Sequence, residues 1–405
     1  MHIGLCSPHW PPAGAANGIV TYVSALRDHF LSKGHAVSVI SQGHLFDSKD
    51  HAQPLELPAS QTMRSIWERR LSRRLDAWHG GLPGLGQSVA RQIVTARRIT
   101  PIDIVEMEES FGWARMVQEY ARVPVVTRLH GPHFLKPAQP KAWRERLTDA
   151  QRSNAEGRAI RSARALTAPT QSTMDAVCSH YRVSSAVRRA VIPNPVTHVP
   201  EKDRWRLGDC EPEHILMVGR FDYWKGADTM LAAFARLSSW RPRARLTLVG
   251  PDFGIRTGAG RILNFDEYTE ANLPETVRER VTFTGTLSAD RIKALRQKAY
   301  VTVVTSRLES FSYALVEGMA SGCPVISTNW PGSGEIIDHG QTGILTQVGE
   351  PEALAHHLNW LMARPQTAAR IAANGLKHCQ RHYSVEAVGN DLLRYYETTL
   401  QAGIK

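Results

Sequence analysis

Short aliphatic and β-branched runs alternate along this chain with longer stretches in which apolar residues recur every three or four positions. Ile3–Cys6 predicts a strand, and Val20, Val23, Leu26 and Phe30 predict a helix over Ile19–Lys33. The turn Lys33-Gly34-His35 leads to a second strand, Val37–Ser41. Further strands are predicted at Ile102–Glu106, Val123–Leu129 and Leu166–Pro169, with a helix from Ser172. Pro193-Asn194-Pro195 and the polar stretch to Glu213 predict a linker. The alternation then restarts. It gives strands at Ile215–Gly219, Leu246–Val249, Val281–Thr284, Tyr300–Thr305 and Val325–Ser327, and helices at Gly226–Leu237, Ala289–Lys298 and Tyr313–Ala320. The fold class expected is α/β, with two doubly wound Rossmann-like domains and a cleft between their strand ends. Asp252 to Pro274 is a long connection and is expected to be a flexible insertion.

A chain of 405 residues accommodates two domains of ordinary size. Its 42% hydrophobic and 21% charged content is that of a globular enzyme. No stretch of about 18 apolar residues occurs, so no membrane-spanning helix is expected. The start, Met1-His2-Ile3-Gly4-Leu5-Cys6, lacks a charged region followed by an apolar core, which argues against a leader. The five cysteines are scattered and show no C-x-x-C spacing, which fits a reducing cytoplasm and argues against structural zinc.

The net charge of +11 calls for an anionic partner or location. Nucleic acid is not expected, because no nucleic-acid motif accompanies the charge. Arg64, Arg69, Arg70, Arg73, Arg74, Arg91, Arg97 and Arg98 are opposed only by Glu68 and Asp76. Ile66, Trp67, Leu71, Leu75 and Trp78 lie among them at roughly helical spacing. Two readings stand side by side. One is an amphipathic helix at an anionic membrane face, the other a surface helix packed on its own domain.

The chemistry concentrates where strands end, since ligands of open α/β sheets bind outside the carboxyl ends of the strands. After Tyr300–Thr305 comes Ser306-Arg307-Leu308-Glu309-Ser310-Phe311-Ser312, and Glu317 follows on the next helix. Two carboxylates so placed can accept hydrogen bonds from vicinal hydroxyls of a sugar or ribose. The helix start at Phe311 and Ser312 offers amides to a phosphate. Taken alone, Glu309 and Glu317 fit a helix-end charge and a solvated helix residue equally well. Arg220 ends a strand and Lys225 precedes a helix at the same edge, a fork of donors and a point charge suited to a diphosphate. Gly14 and Gly18 lie in a small-residue loop where backbone can approach a ligand. His130 closes another strand, and Glu106, Glu108 and Glu109 follow a third. An acceptor contact and plain solvent exposure explain those three glutamates equally well.

These segments carry a family resemblance. Arg307–Glu317, Met319–Thr328, Gly332-Ser333-Gly334-Glu335-Ile336-Ile337 and Gly343 resemble the donor-binding half of the GT-B glycosyltransferases, most closely the retaining family 4 type. The string G-R-F-D-Y-W-K-G-A-D resembles that family's G-R-…-K-G element. The resemblance implies that Arg220 and Lys225 bind the donor diphosphate, Glu309 the donor sugar hydroxyls and Glu317 the ribose. It implies that Ser310, Phe311 and Ser312 lie against the diphosphate, that Thr286 and Leu287 lie near the base, and that His130 reaches the transferred sugar. Gly18 and Gly14 match the N-terminal glycine loop, though Asn17 stands before Gly18 where many members have a second glycine. The loop also lacks the Lys of starch and glycogen synthases. Pro195 replaces the glycine that commonly follows Asn194.

The domains implied are 1–195 for the acceptor, 196–380 for the donor, and a terminal helix, 381–405, that crosses back. The activity implied is transfer of a sugar from a UDP- or GDP-sugar to an acceptor hydroxyl, with no metal and no other cofactor. The acceptor would be a sugar or lipid-linked molecule of polysaccharide or glycolipid assembly, at the cytoplasmic face of a membrane. A non-catalytic subunit and a nucleotide-sugar epimerase on the same fold are the alternatives.

Overall fold

The computed structural model describes residues 1–12, 17–55, 83–135, 143–258 and 260–403. The chain forms two compact units, Met1–Pro195 with Val385–Lys405, and Val196–Ser384.

The first unit contains β1 (His2–Cys6), α1 (Gly18–Ser32), β2 (Ala36–Ser41), β3 (His44–Phe46), β4 (Ala52–Pro54) and α2 (Pro83–Ile99). These are followed by β5 (Ile104–Glu108), α3 (Trp113–Tyr120), β6 (Val125–Arg128), α4 (Trp143–Ser162), β7 (Ala165–Ala168), α5 (Gln171–Tyr181) and β8 (Arg188–Val191). Its sheet has the order β4-β3-β2-β1-β5-β6-β7-β8, antiparallel only at β2-β3-β4. The chain runs outward from β1 to β2 and then to β5 on the other side, so β1 marks a topological switch point. Asn17 caps α1, its Oδ1 accepting from the Ile19 amide at 2.8 Å. Val20, Val23, Leu26 and Phe30 on α1 are buried, as the spacing predicts.

The second unit contains β9 (His214–Val218), β10 (Phe221–Asp222), α6 (Ala227–Trp240), β11 (Arg245–Val249), β12 (Asp252–Arg256), β13 (Ile262–Leu263), α7 (Phe265–Asn272), α8 (Glu275–Arg278) and β14 (Val281–Phe283). Then come α9 (Ala289–Lys298), β15 (Val301–Val304), α10 (Tyr313–Ala320), β16 (Val325–Thr328), β17 (Ile344–Thr346), α11 (Pro351–Met362) and α12 (Pro365–His382). The six-stranded sheet is wholly parallel, in the order β14-β11-β9-β15-β16-β17. Its inner strands β9, β15 and β16 are buried on both faces, which explains their near-continuous aliphatic runs.

The last helix, α13 (Val385–Gly403), belongs to the first unit and packs on α1. A Cβ on Gly389 would come within 2.2 Å of the His29 ring, so only glycine permits this approach. Tyr396 stacks edge-on against Phe30 at 5.9 Å.

Three expectations need correction. The described residues of the connection from Asp252 form regular secondary structure rather than an irregular insertion. β12 and β13 pair antiparallel, and α7 opens with a capping box between Asn264 and Glu267. Phe265 stacks on Phe283 at 4.6 Å and fastens the segment to the core. Secondly, the strand expected over 102–106 runs from Ile104 to Glu108, because Glu106 lies inside it as a buried carboxylate rather than ending it. Thirdly, solvent exposure does not account for Glu106 and Glu109, which are 3% and 1% exposed.

Of the basic segment, Arg64, Arg69, Arg70, Arg73 and Arg74 lie outside the described residues, with Trp67 and Trp78. On α2, Ala90, Ile93 and Ala96 are buried in the unit's own core, and Arg97 donates to the Ala121 carbonyl at 2.8 Å. The described part therefore packs on its own domain. Among the described residues, no helix is long and apolar enough to cross a membrane.

Candidate active site

In the second unit, polar groups gather where β9 and β15 end. Asp222 joins two of the predicted cations. Its Oδ2 accepts from Arg220 Nε at 2.6 Å, and its Oδ1 accepts from the Lys225 amide at 2.7 Å. Lys225 Nζ forms an ion pair with Glu309 Oε1, which also accepts from Ser306 Oγ at 2.8 Å. Arg220, Lys225 and Glu309 are thus brought into one hydrogen-bonded chain through Asp222. The two terminal nitrogens of Arg220 have no hydrogen-bond partner among the described residues, and neither does Glu309 Oε2. Each is therefore available to a ligand.

Gly226 makes this close approach possible. Its φ is +67°, and a Cβ there would come within 2.0 Å of the Thr305 carbonyl oxygen. Thr305 Oγ1 in turn donates to the Lys225 carbonyl at 2.8 Å. Arg307 fastens the same two loops. It grips Asp228 through both terminal nitrogens at 2.7 Å and donates to the Tyr223 carbonyl at 2.5 Å.

Ser312 is the N-cap residue of α10 but makes no side-chain cap, and its hydroxyl is buried without a partner among the described residues. The first turn of α10 therefore lacks the usual side-chain acceptor. Ser310 is half-buried in the preceding loop. The Phe311 ring belongs to the core, edge-on to Tyr383 at 5.9 Å, so only its backbone suits a ligand contact. Glu317 Oε2 accepts from Arg296 at 2.6 Å, while Arg296 is itself 5% exposed. Thr286 and Leu287 lie between β14 and α9, the threonine exposed and the leucine packed against Leu216 and Val249.

In the first unit, His130 stands two residues beyond β6. Glu109 accepts the amides of His130 and Gly131, both at 2.9 Å, and so fixes that turn. The His130 ring meets Tyr22 edge-on at 5.1 Å. Burial, aided by the Arg128 charge, holds its pKa well below the usual imidazole value, so the ring is neutral at physiological pH. Glu106 accepts from Tyr22 and Tyr396, both at 2.7 Å. Arg128 donates to Asn194 Oδ1 at 2.6 Å and lies 4.9 Å over the Tyr22 ring. Burial pushes the carboxyl of Glu109 up to about 8 and raises that of Glu106. Gly18 is the exposed first residue of α1, and Gly14 lies outside the described residues.

Sequence reasoning missed Asp222, Arg296 and the buried Tyr22, Arg128 and Tyr396; it offered Glu106 only as an acceptor contact or a solvated residue, and left Asn194 without a role. Asp222 lay within the quoted string, where a single Asp carries no mark of its own. Among the described residues, no group of three or more His, Cys, Asp or Glu side chains is arranged to hold a metal ion.

The geometry meets two family models. Residues 16–198 match the one described as Glycosyltransferase Family 4, and residues 201–378 the one described as Glycosyl transferases group 1. The chain belongs to these families: it is an enzyme, a GT-B glycosyltransferase of the family 4 type. It is 27% identical over 298 residues to the D-inositol 3-phosphate glycosyltransferase of Rhodococcus opacus (strain B4), spanning 70% of this chain and 64% of that protein. In fold it resembles the sucrose-phosphate synthase of Thermosynechococcus elongatus, with a TM-score of 0.73, 21% identity and 99% of both chains covered. It likewise resembles Anabaena HepE in complex with UDP-glucose, with a TM-score of 0.65, 20% identity, and 98% of this chain and all of that one covered.

Proposed function

We propose that this enzyme transfers a sugar from a UDP- or GDP-sugar to an acceptor hydroxyl with retention at the anomeric carbon, without a metal ion. The observation that carries the reading is the chain Arg220–Asp222–Lys225–Glu309 at the strand ends of the second unit. In the reaction, Arg220 and Lys225 neutralise the donor diphosphate as its bond to the sugar breaks. Glu309, released from Lys225 by the incoming phosphate, accepts the sugar hydroxyls. Glu317, held by Arg296, takes the ribose, and the open first turn of α10 takes phosphate oxygens. Backbone near Thr286 and Leu287 meets the base.

The bond from the anomeric carbon to the diphosphate breaks as the acceptor oxygen bonds to that carbon on the same face. The acceptor proton passes to the departing phosphate oxygen, giving a glycoside and a nucleoside diphosphate. His130 offers a neutral imidazole to the transferred sugar and adds no net charge. The two cations supply the positive charge for which a divalent ion would otherwise serve.

The net charge of +11 supports work on anionic substrates, and we place the reaction in polysaccharide or glycolipid assembly at the cytoplasmic face of a membrane. The name of the Rhodococcus relative puts a phosphorylated cyclitol among the acceptors to test. A thermal-shift panel of UDP, GDP, ADP and their common sugars tests the donor assignment. Stabilisation by one base, lost in Lys225→Ala, is the expected result. No shift with any nucleotide counts against the reading.

A further inference from the structure

A cavity of about 530 Å³ opens in the second unit, between the turn that precedes β17 and the end of α11. It falls within the size range of small-molecule sites. His339 and Gly340 stand before β17, and Ile344 opens that strand. The sheet is wholly parallel, so this is the amino end of its strands, whereas Arg220, Lys225 and Glu309 follow carboxyl ends. None of the donor-site residues lines the cavity.

The polar groups of its wall are rich in unused N–H. The Leu345 amide donates to His339 Nδ1 at 3.0 Å, so the neutral ring carries its proton on Nε2, which has no partner among the described residues. Asn359 Oδ1 accepts from Arg241 Nε at 2.8 Å, which leaves the side-chain nitrogen of Asn359 for a ligand. Arg364 donates through Nη1 to the Trp360 carbonyl at 3.3 Å and keeps its other two nitrogens, and it pairs with no carboxylate among the described residues. His357 Nδ1 is buried without a partner among the described residues, and buried polar atoms are seldom left so. Its ring lies 6.2 Å from that of His339.

No Asp or Glu lines the cavity among the described residues. Two acids touch residues of the wall or their partners, and both are engaged. Glu352 accepts from Arg236 at 3.0 Å and stands 3.6 Å from His356, so His356 is not counted among the free donors. Glu213 accepts from Arg241 at 3.1 Å. Asp338 precedes His339 in the chain but is exposed and outside the wall. The carboxyl end of α11 would by itself repel an anion, but protein donors cover it. The Asn359 carbonyl accepts from Arg241 at 3.5 Å, the Trp360 carbonyl from Arg364, and the Leu361 carbonyl from the Tyr300 hydroxyl at 3.0 Å. Clustered imidazoles invite a metal ion, yet no group of three or more metal-ligating side chains is arranged for one among the described residues.

A guanidinium, an amide and two imidazoles suit the three terminal oxygens of a phosphate better than the two of a carboxylate. The rest of the wall is apolar. Trp360 is 38% exposed, the Arg364 guanidinium lies 5.0 Å over its ring, and Ile344 and Ala363 adjoin. The volume is far more than a bare phosphate fills. We propose that this cavity is a second anion site, apart from the donor site, and that it takes a phosphate monoester with an apolar or ring-shaped body. The binding does not depend on the glycosyl-transfer reading.

Isothermal titration calorimetry on the full-length protein tests the proposal, with phenyl phosphate as the probe beside inorganic phosphate, benzoate and methyl glucoside. The expected result is a one-to-one complex with phenyl phosphate, at least about tenfold tighter than with the other three. Arg364→Met keeps an apolar stem beside Trp360 and removes the charge. His339→Asn keeps an acceptor for the Leu345 amide and removes the Nε2 proton. Each should weaken phenyl phosphate about tenfold, while Lys225→Ala leaves it unchanged. Binding lost in Lys225→Ala but kept in the other two variants would place the probe on the donor-site cations and overturn the proposal. Benzoate or inorganic phosphate bound as tightly as phenyl phosphate overturns it too, as does no binding of phenyl phosphate at all. A missing thermal shift with every nucleotide, beside the expected pattern for phenyl phosphate, counts against the donor reading alone.

Discussion

The two units hold their charged groups in opposite ways. In the second, Arg220, Lys225 and Glu309 stand at strand ends, tied to one another through Asp222 and the Lys225–Glu309 ion pair, with Arg220 and Glu309 each keeping an atom for a ligand. In the first, Glu106 and Arg128 are nine-tenths or more buried and are committed to internal partners such as Tyr22, Tyr396 and Asn194, while Glu109, its carboxyl pushed up to about 8, is mostly protonated at neutral pH and holds the amides beside His130. A charge at the rim can change partners when substrate arrives. A charge in the core cannot, because leaving its partner means crossing a low-dielectric interior unpaired. The arrangement of the second unit suits chemistry, and that of the first suits holding a neutral imidazole in place.

That contrast breaks most visibly at Glu106. Glu106→Ala leaves two buried tyrosine hydroxyls without their acceptor and removes the carboxylate charge near Arg128, and is expected to cost about 3–5 kcal/mol of stability in urea unfolding. Molecules that remain folded should keep their nucleotide-dependent thermal shift. At the rim the order reverses. Lys225→Ala is expected to lower kcat about 10²–10³-fold, roughly 3–4 kcal/mol of transition-state stabilisation, with the melting temperature nearly unmoved.

Asp222→Asn sharpens the comparison. Its nitrogen replaces one of the two accepting oxygens, so either Arg220 or the Lys225 amide loses its partner. A fall of about tenfold to a hundredfold in kcat/KM for the donor is expected. A stability loss without a kinetic one would instead place Asp222 in the structural class of Glu106.

The smallest effect is a pH dependence. His130 is held neutral by burial, with a folded pKa well below the ordinary 6.5. Below pH 6.5 the unfolded chain binds a proton that the folded one refuses. Stability from this group is therefore full above pH 6.5 and is lost as pH falls beneath it. His130→Gln should flatten that part of the unfolding free energy between pH 7.5 and 5.5, measured against wild type so that other histidines cancel.

The rim was far more legible in the sequence than the core. Arg220 and Lys225 lie five residues apart in one string, and Glu309 and Glu317 flank one helix start, so the family resemblance that singles them out is carried by short local strings. Strands β9, β15 and β16 were equally visible, because buried parallel strands are unbroken aliphatic runs. Tyr22, Glu106, Arg128, Asn194 and Tyr396 are scattered over most of the chain, and no local pattern relates them. Glu106 misled directly, since an acid in an apolar run resembles a strand end until its two tyrosines are seen. The β12–β13 hairpin escaped because strands of five and two residues, interrupted by glycine, show no alternation.

Turnover by Glu309→Gln tests the central claim most directly. Nucleoside diphosphate release and donor binding would be measured side by side with wild type. Gln keeps the shape of the side chain but removes the charge that pairs with Lys225 and one of the sugar-accepting oxygens. The account predicts a loss of at least about a hundredfold in kcat, with the fold intact and nucleotide still bound. Near-native turnover in this variant would contradict the assignment of the Arg220–Asp222–Lys225–Glu309 chain as the seat of the reaction.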